Sequence, residues 1–284
     1  MSNLKSRKLI ADLLRPIKYS FFVIRYLRHP IKILYTYLKK QKNTVVELRK
    51  GGIFSSYGYG DVGLDLYRIW GEYEYGIRPK DAKKFGIVID IGAHIGLFSV
   101  FLGVLNPKCQ VLCYEIDKGN FEKLKQNINN CRASNVIPVN SAVNDKSGVI
   151  YYFSGRDCSE FSTTNICFSN STHPIIIEGL IAVGVVNSTT LNDIIKSNNL
   201  GYVDFLKLDC EGAEFEILYS TTEENIKKIK AIGGEYHEYD RHTVNELVNY
   251  LSTFGHSKQI ETRNGIGLIR YTKNEAPIPS RAVR

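Results

Sequence analysis

From residue 87 onward the chain alternates short, continuous apolar runs with amphipathic helical patterns, and that alternation leaves few folds open. Residues 87–91 (IVIDI) read as a strand interrupted only by Asp90, followed by a helix from 95 to about 105. Residues 110–115 (QVLCYE) form the second strand, and a helix opening near Asp117 presents Phe121, Leu124 and Ile128 on one face. A third strand is expected at 135–139. Residues 149–153 and 180–186 read as a strand pair around a loop rich in Ser, Thr and Asn. A helix at 191–197 leads to a fourth strand at 205–208, a fifth at 231–235 and a helix at 243–254. Residues 258–261 and 267–271 close the body as an antiparallel hairpin turning at Asn264-Gly265. The expectation is an α/β, doubly wound (Rossmann-like) parallel sheet covered on both faces, with a C-terminal antiparallel hairpin and a helical N-terminal extension.

Charge divides the 284-residue chain sharply. Its formal net charge is +8, yet residues 1–42 hold eleven Lys/Arg and one acid, Asp12, for +10, which leaves the remainder at −2. A body this close to neutral offers no basic groove for tracking phosphates, so no nucleic-acid partner is expected. No apolar stretch reaches the roughly 18 residues of a transmembrane helix. The run at 19–24 (YSFFVI) is too short for a signal-peptide core, and no small-residue cleavage site follows it. In residues 1–42 Leu, Ile, Phe and Tyr interleave with Lys and Arg, broken at Pro16 and Pro30, which predicts two or three short basic amphipathic helices. Such helices either lie in a membrane interface, inserting Phe21, Phe22, Ile24 and Leu27, or pack on the body with their charges solvated. The six cysteines form no CxxC pair, which predicts reduced thiols in a cytoplasmic protein, on the inner face of the membrane if the first reading holds. The expected divisions are the extension at 1–43, a lead-in of short strands on the substrate side at 44–80, the α/β body at 81–273 and a flexible tail at 274–284.

An open parallel sheet binds its ligand beyond the carboxyl ends of its strands, and Asp90-Ile91-Gly92-Ala93-His94-Ile95-Gly96 lies there after the first strand. Gly92 permits a sharp turn beside a ligand, and Gly96 is expected to open a helix whose first amides face a carboxylate. The spacing is DxGxxxG rather than GxGxxG, so the ligand need carry no phosphate. Glu115, 25 residues after Asp90, ends the second strand, where a carboxylate can accept from both hydroxyls of a ribose. Asp209, Glu211 and Glu214 follow the fourth strand, with Gly212 between them, and Glu235 and His237 follow the fifth. Carboxylates crowded at one sheet edge raise one another's pKa and favour a base near neutrality. Asp209 ranks first as base or substrate-orienting group, then Glu211, then His237. Glu214 is expected to cap a helix or pair with Lys207. Asp209, Glu211 and Glu235 form an oxygen-only set suited to Mg²⁺, but spacing alone does not establish a metal and none is expected. Acceptor contacts are expected from the loop at 154–180 and from Tyr57, Tyr59, Tyr67, Trp70, Tyr73 and Tyr75.

Five segments together resemble the FkbM-type methyltransferases: VIDIGAHIGLFSVF (88–101), CYEIDKGNFEKLKQNI (113–128), NSAVNDKSG (140–148), STTLNDII (188–195) and FLKLDCEGAEFEIL (205–218). The last, with its Lys-x-Asp-x-Glu-Gly-x-Glu pattern, is the most diagnostic, and the resemblance spans residues 60–240. It implies a class I methyltransferase fold for the body, S-adenosylmethionine as cofactor, and O-methylation of a small-molecule acceptor, most often a sugar, glycan or glycolipid-like hydroxyl. By position, Asp90, Gly92 and Gly96 would hold the methionine part and Glu115 the ribose. Ala142 and the turn before Asp145 would meet the adenine edge, and His94 and Ile116 complete the cofactor-binding set. His94 stands where the family more often has Asn; both donate a hydrogen bond. Two alternatives stay open: an RNA methyltransferase, against which the neutral body and the lack of an NPPY-like tetrad speak, and a non-catalytic cofactor-binding scaffold.

Overall fold

The computed structural model describes residues 2–56, 61–155, 158–163, 180–238, 242–263 and 266–273. Helices α1 (Ser2–Tyr26) and α2 (Pro30–Leu38) precede a hairpin of β1 (Val45–Glu47) and β2 (Ile53–Ser55), then α3 (Val62–Trp70) and α4 (Pro79–Ala82). The body begins with β3 (Ile87–Ile91), α5 (Ser99–Leu105), β4 (Gln110–Glu115), α6 (Lys118–Cys131), β5 (Val136–Asn140) and β6 (Ala142–Val143). It continues through β7 (Gly148–Gly155), β8 (Cys158–Thr163), β9 (Leu180–Thr189), α7 (Leu191–Ser197), β10 (Phe205–Leu208) and α8 (Glu214–Ser220). The last elements are α9 (Glu223–Lys228), β11 (Ala231–His237), α10 (Val244–Ser252), β12 (His256–Arg263) and β13 (Ile266–Thr272).

Among the described residues the main sheet runs β12-β13-β11-β10-β3-β4-β5, with β11 to β5 parallel and the final hairpin antiparallel. The chain builds outward from β3 to β5 and then returns to place β10 on the other side of β3. The carboxyl ends of β3 and β10 therefore adjoin at the point where the strand order reverses. Successive side chains point to opposite faces. Val88, Val111 and Phe205 join a core with residues of α1, α3, α5 and α6, whereas Ile89, Leu112, Leu206 and Leu208 join one with α7, α8 and α10. This is the doubly wound sheet the alternation requires. A second sheet, β6-β9-β7-β8, flanks it; β8 occupies part of the segment expected to be a loop, and residues 164–179 lie outside the described residues, as do Tyr57, Tyr59, the Asn264-Gly265 turn and the tail from 274.

Two boundaries differ from expectation for backbone reasons. The helix after β3 starts at Ser99 rather than 95, because Gly92, His94 and Gly96 take positive φ (77°, 50° and 89°) and keep the loop out of helical geometry. Gly96 thus makes a turn and does not open a helix. Strand β11 runs two residues past 235 and carries His237 at its end.

The N-terminal segment departs most. Pro16 lies inside α1 without ending it; the hydrogen bond it forfeits is offset by the burial of Tyr19, Phe22 and Val23 just beyond. Tyr19, Phe22, Val23, Leu27 and Ile33 all belong to the main core. Phe22 meets Tyr67 and Phe101 at ring-centroid distances of 5.7 and 6.3 Å. The inner side of the segment follows the packing reading, and the expected membrane insertion of Phe22 and Leu27 is corrected: both are core residues, while Phe21 and Ile24 face outward. No helix among the described residues is long and apolar enough to cross a membrane. Tyr67 and Trp70, expected to contact an acceptor, are also core residues.

Phe22→Ala should therefore lower unfolding stability by about 3–5 kcal/mol, while Phe21→Ala, at a side chain 71% exposed, should stay within about 0.5 kcal/mol of wild type. Urea midpoints for the two variants would test this, and equal shifts would mean that α1 is not part of the core.

Candidate active site

Parallel pairing of β10 with β3 sets Lys207 opposite Asp90. The Lys207 ammonium lies 2.9 Å from Asp90 Oδ1 and 3.8 Å from Asp209 Oδ2, and donates to the Gly92 carbonyl at 2.7 Å. Burial opposes its charge, but Asp90 and Asp209 outweigh that and hold its pKa above the ordinary lysine value. Asp90 is fully buried, and its second oxygen accepts from Ser99 Oγ. Lys207 also sits 5.1 Å above the Tyr75 ring, whose hydroxyl donates to Asp209 Oδ2 at 2.6 Å. Arg270 on β13 fixes the turn that delivers Tyr75, donating to the carbonyls of Tyr73 at 2.7 Å and Glu74 at 3.3 Å.

The Asp90–Gly96 turn wraps the ends of β3 and β4. A Cβ on Gly92 would collide with the Asp209 carbonyl, and one on Gly96 would stand 2.6 Å from Leu124 Cδ1, so both positions need glycine for space as well as for φ. The amides of Gly92 and Ala93 both donate to the Tyr114 carbonyl. The His94 amide donates to Glu115 Oε2 at 2.7 Å and the Asp117 amide to Oε1 at 2.8 Å. Burial lifts the Glu115 pKa to about 7, although these two amides favour its ionised form. Beside it, Ile116 packs against Ala142 and Val186, giving the carboxylate an apolar neighbour. Asp145 stands exposed on its turn, 3.8 Å from Lys146 Nζ, and does not join this group.

Beyond β10 the chain turns through Glu211 and Gly212, both at positive φ (54° and 104°), into α8. The N-cap position of α8 is Ala213; buried Glu214, the first residue of α8, accepts the amides of Cys210 at 3.0 Å and Gly212 at 3.1 Å and so ties the preceding turn. Its ionic partner is His237 rather than Lys207, with Nδ1 at 3.3 Å, because β11 extends far enough to bring the imidazole beneath α8. The other ring nitrogen lies 3.2 Å from Glu211 Oε2 and 3.9 Å from Glu235 Oε2. Burial disfavours a charged imidazole, but Glu214 and Glu211 more than compensate and hold the His237 pKa well above its usual value. Burial likewise works against a charged Glu214, yet His237 and the two amides draw its pKa below normal. His237, 2% exposed, is engaged at both ring nitrogens and positions two glutamates.

Burial raises Glu211 despite His237. For Glu235, burial and then the Asp209 charge push the pKa to about 8. From the sequence Glu235 counts among the crowded carboxylates and the oxygen-ligand set but is not ranked with Asp209, Glu211 and His237; the signal for more was its position two residues before His237 on the same strand. Among the described residues, no three His, Cys, Asp or Glu side chains are arranged to hold a metal ion. The roles of Tyr75 toward Asp209 and of Arg270 toward Tyr75 carried no local sequence signal.

The sequence matches the family model described as the methyltransferase FkbM domain over residues 90–258. No curated protein matches the chain. Among solved structures, it is similar to precorrin-6y C5,15-methyltransferase from Geobacter metallireducens, at 14% identity over 66% of this chain and 80% of that one, with a TM-score of 0.38. An rRNA methylase from Streptococcus thermophilus aligns at 8% identity over 69% of this chain and 91% of that one, with a TM-score of 0.41. TrmK from M. capricolum, in complex with S-adenosyl-homocysteine, aligns at 11% identity over 70% and 68% of the two chains, also with a TM-score of 0.41.

Replacing the ammonium tests the anchor. Lys207→Met leaves Asp90 buried beside an apolar side chain and should cost about 3–5 kcal/mol of stability in denaturant unfolding, with part of it recovered in Lys207→Met/Asp90→Leu. A cost below about 1 kcal/mol, the range of surface ion pairs, would mean that the ammonium does not hold the loop.

Proposed function

The chain belongs to the FkbM methyltransferase family and is an S-adenosylmethionine-dependent methyltransferase, and on that premise we propose that it O-methylates a hydroxyl of a sugar, glycan or glycolipid-like acceptor. The residues at the strand ends fit the cofactor. Glycine at 92, where a Cβ would strike the Asp209 carbonyl, lets the turn after β3 close against the end of β10. Each oxygen of Glu115 spends one lone pair on a backbone amide and keeps another for a ribose hydroxyl. Ile116 and Ala142 supply the apolar side on which an adenine would rest. Gly92, His94 and Gly96 would shape the methionine end, and Asp90 acts on that loop through Lys207 and Ser99. When bound, the cofactor supplies a methyl group already activated on sulfonium sulfur.

The protein's remaining task is to align a hydroxyl and receive its proton. The observation that carries the reading is Glu235, a partly exposed carboxylate with a pKa near 8 at the open strand edge, beside Asp209 and Glu211. Such a group takes a proton from a hydroxyl at neutral to mildly alkaline pH. Asp209, fixed by Tyr75 and Lys207, orients the hydroxyl, and Glu211, held by His237, closes the other side. The same carboxylates argue against RNA, because a phosphate backbone would meet Asp209, Glu211 and Glu235 at the mouth of the site. Incubation with methyl-labelled cofactor and separate glycan, lipid and RNA fractions tests this: label in a base-stable ether of a glycan or glycolipid is expected, and label confined to RNA would overturn it. The body is further expected to work in the cytoplasm.

Two titrations follow. Because ribose hydroxyls donate to ionised Glu115, a pKa of about 7 in the free protein means that cofactor affinity falls as pH drops, about tenfold between pH 8 and pH 6. Calorimetry should show that dependence and show it vanish in Glu115→Gln; a flat wild-type profile would remove Glu115 from the ribose site. For turnover, Glu235 must be deprotonated, so the rate should rise with pH and level off above about 8. In Glu235→Gln that rising limb should disappear while cofactor affinity is kept; an unchanged limb would assign the base elsewhere.

A further inference from the structure

We propose that the outward face of α1 and α2 is a docking surface for an anionic phospholipid bilayer, an inference independent of which acceptor is methylated. Both helices are apolar on two opposite sides. In α1 the inner side is filled by Tyr19, Phe22 and Val23, while Ile17, Phe21 and Ile24 are 54%, 71% and 52% exposed. In α2 Ile33 is buried, while Ile31, Tyr35 and Leu38 are 85%, 58% and 75% exposed. Each outward trio has the spacing i, i+4, i+7, which keeps it on one stripe of a helix turning about 100° per residue. A helix that already fills a core with its inner side gains nothing in folding from a second apolar stripe facing water.

Charge identifies what covers it. Lys18, Arg25, Lys32, Lys39, Lys40 and Lys42 are exposed along and between the stripes, with no carboxylate within ion-pair distance among the described residues. The one acid between residues 14 and 50, Glu47, is taken by Arg28 and His29. A second copy of the chain, brought up by a two-fold axis, would set these cations against themselves. A nucleic acid would satisfy the cations and leave Phe21, Ile31 and Leu38 in water. An anionic bilayer meets both, with phosphates at the ammonium groups and the six apolar side chains at the acyl boundary. The helices would lie in the interface, since neither can span it.

The test uses the full chain and sedimentation with vesicles of phosphatidylcholine alone or mixed with phosphatidylglycerol. Partitioning should require phosphatidylglycerol and weaken with salt, with a remainder that resists it. Phe21→Asp/Ile31→Asp/Leu38→Asp should cut partitioning about tenfold or more, and Lys32→Glu or Lys39→Glu about fivefold each. All of these positions are exposed; an unchanged cofactor affinity serves as the folding control, and Ile31→Ser alone replaces the triple variant if that control fails. Absence of binding to the anionic vesicles, or full binding by the apolar variant, overturns the proposal. So does a dimer in solution that the triple variant converts to monomer, since a second copy would then cover the face. None of these outcomes bears on methyl transfer to a soluble acceptor, so the two proposals fail separately.

Discussion

A buried ammonium joins two strand ends that lie far apart in the chain, the turn after β3 and the end of β10. Lys207 reaches the Asp90 carboxylate, the Gly92 carbonyl and the Asp209 carboxylate from the centre of the sheet. A carbonyl and two carboxylates drawn toward one another without a cation would be costly in so dry a place, and the ammonium alone would be equally so. Each makes the others tolerable. The strand register is what permits it, since a slip of one residue between β3 and β10 would turn Lys207 to the opposite face. The turn from Asp90 to Gly96 and the Asp209 carboxylate are thus set by one contact.

The site's charges then sort themselves by distance from a cation. Asp90 and Asp209 share Lys207, and Glu214 and Glu211 share His237. Glu235 lies farthest from that imidazole, at 3.9 Å, and feels Asp209 and Glu211 as like charges. Burial first and then the Asp209 charge raise it, to about 8, above the other carboxylates around His237. Both ring nitrogens of His237 are turned to glutamates, so it acts on the strand ends by holding Glu211 and Glu214.

Much of this was legible in the sequence. Apolar runs separated by amphipathic stretches gave β3, β4, β5, α7, β10 and the final hairpin to within a residue or two, because periodicity records burial directly. Asp90, Gly92, Glu115 and the carboxylates after β10 were also legible, since chemistry at strand ends depends on residues next to each other in the chain. What could not be read depends on contacts distant in sequence. Spacing alone pairs Glu214 with Lys207, whereas the length of β11 brings it His237 instead. Tyr75 finds Asp209 across 134 positions, and Arg270 holds Tyr73 across 197. Tyr67 and Trp70 look like sugar-stacking residues in a list of aromatics, but their helix has an inner side and they lie on it.

The N-terminal layer belongs to the site as well as to the core. Phe22 packs on Phe101, Phe101 on Trp70, Trp70 stacks on Phe98 at 5.1 Å, and Phe98 meets Tyr75 edge-on at 5.7 Å. Trp70 adds a hydrogen bond to the Leu97 carbonyl at 3.2 Å, just past the cofactor turn. Close-packed rings leave little room for rotamer change, so the hydroxyl on Asp209 is held jointly by Phe22 and Trp70, which precede the family domain at 90–258, and by Phe98 and Phe101 within it. The order of the chain reflects a physical need. Asp209 is partly exposed just beyond β10 and could rotate away from Lys207 unless something donated to it. Tyr75 is that donor, and α1 to α3 form the wall that keeps it in place.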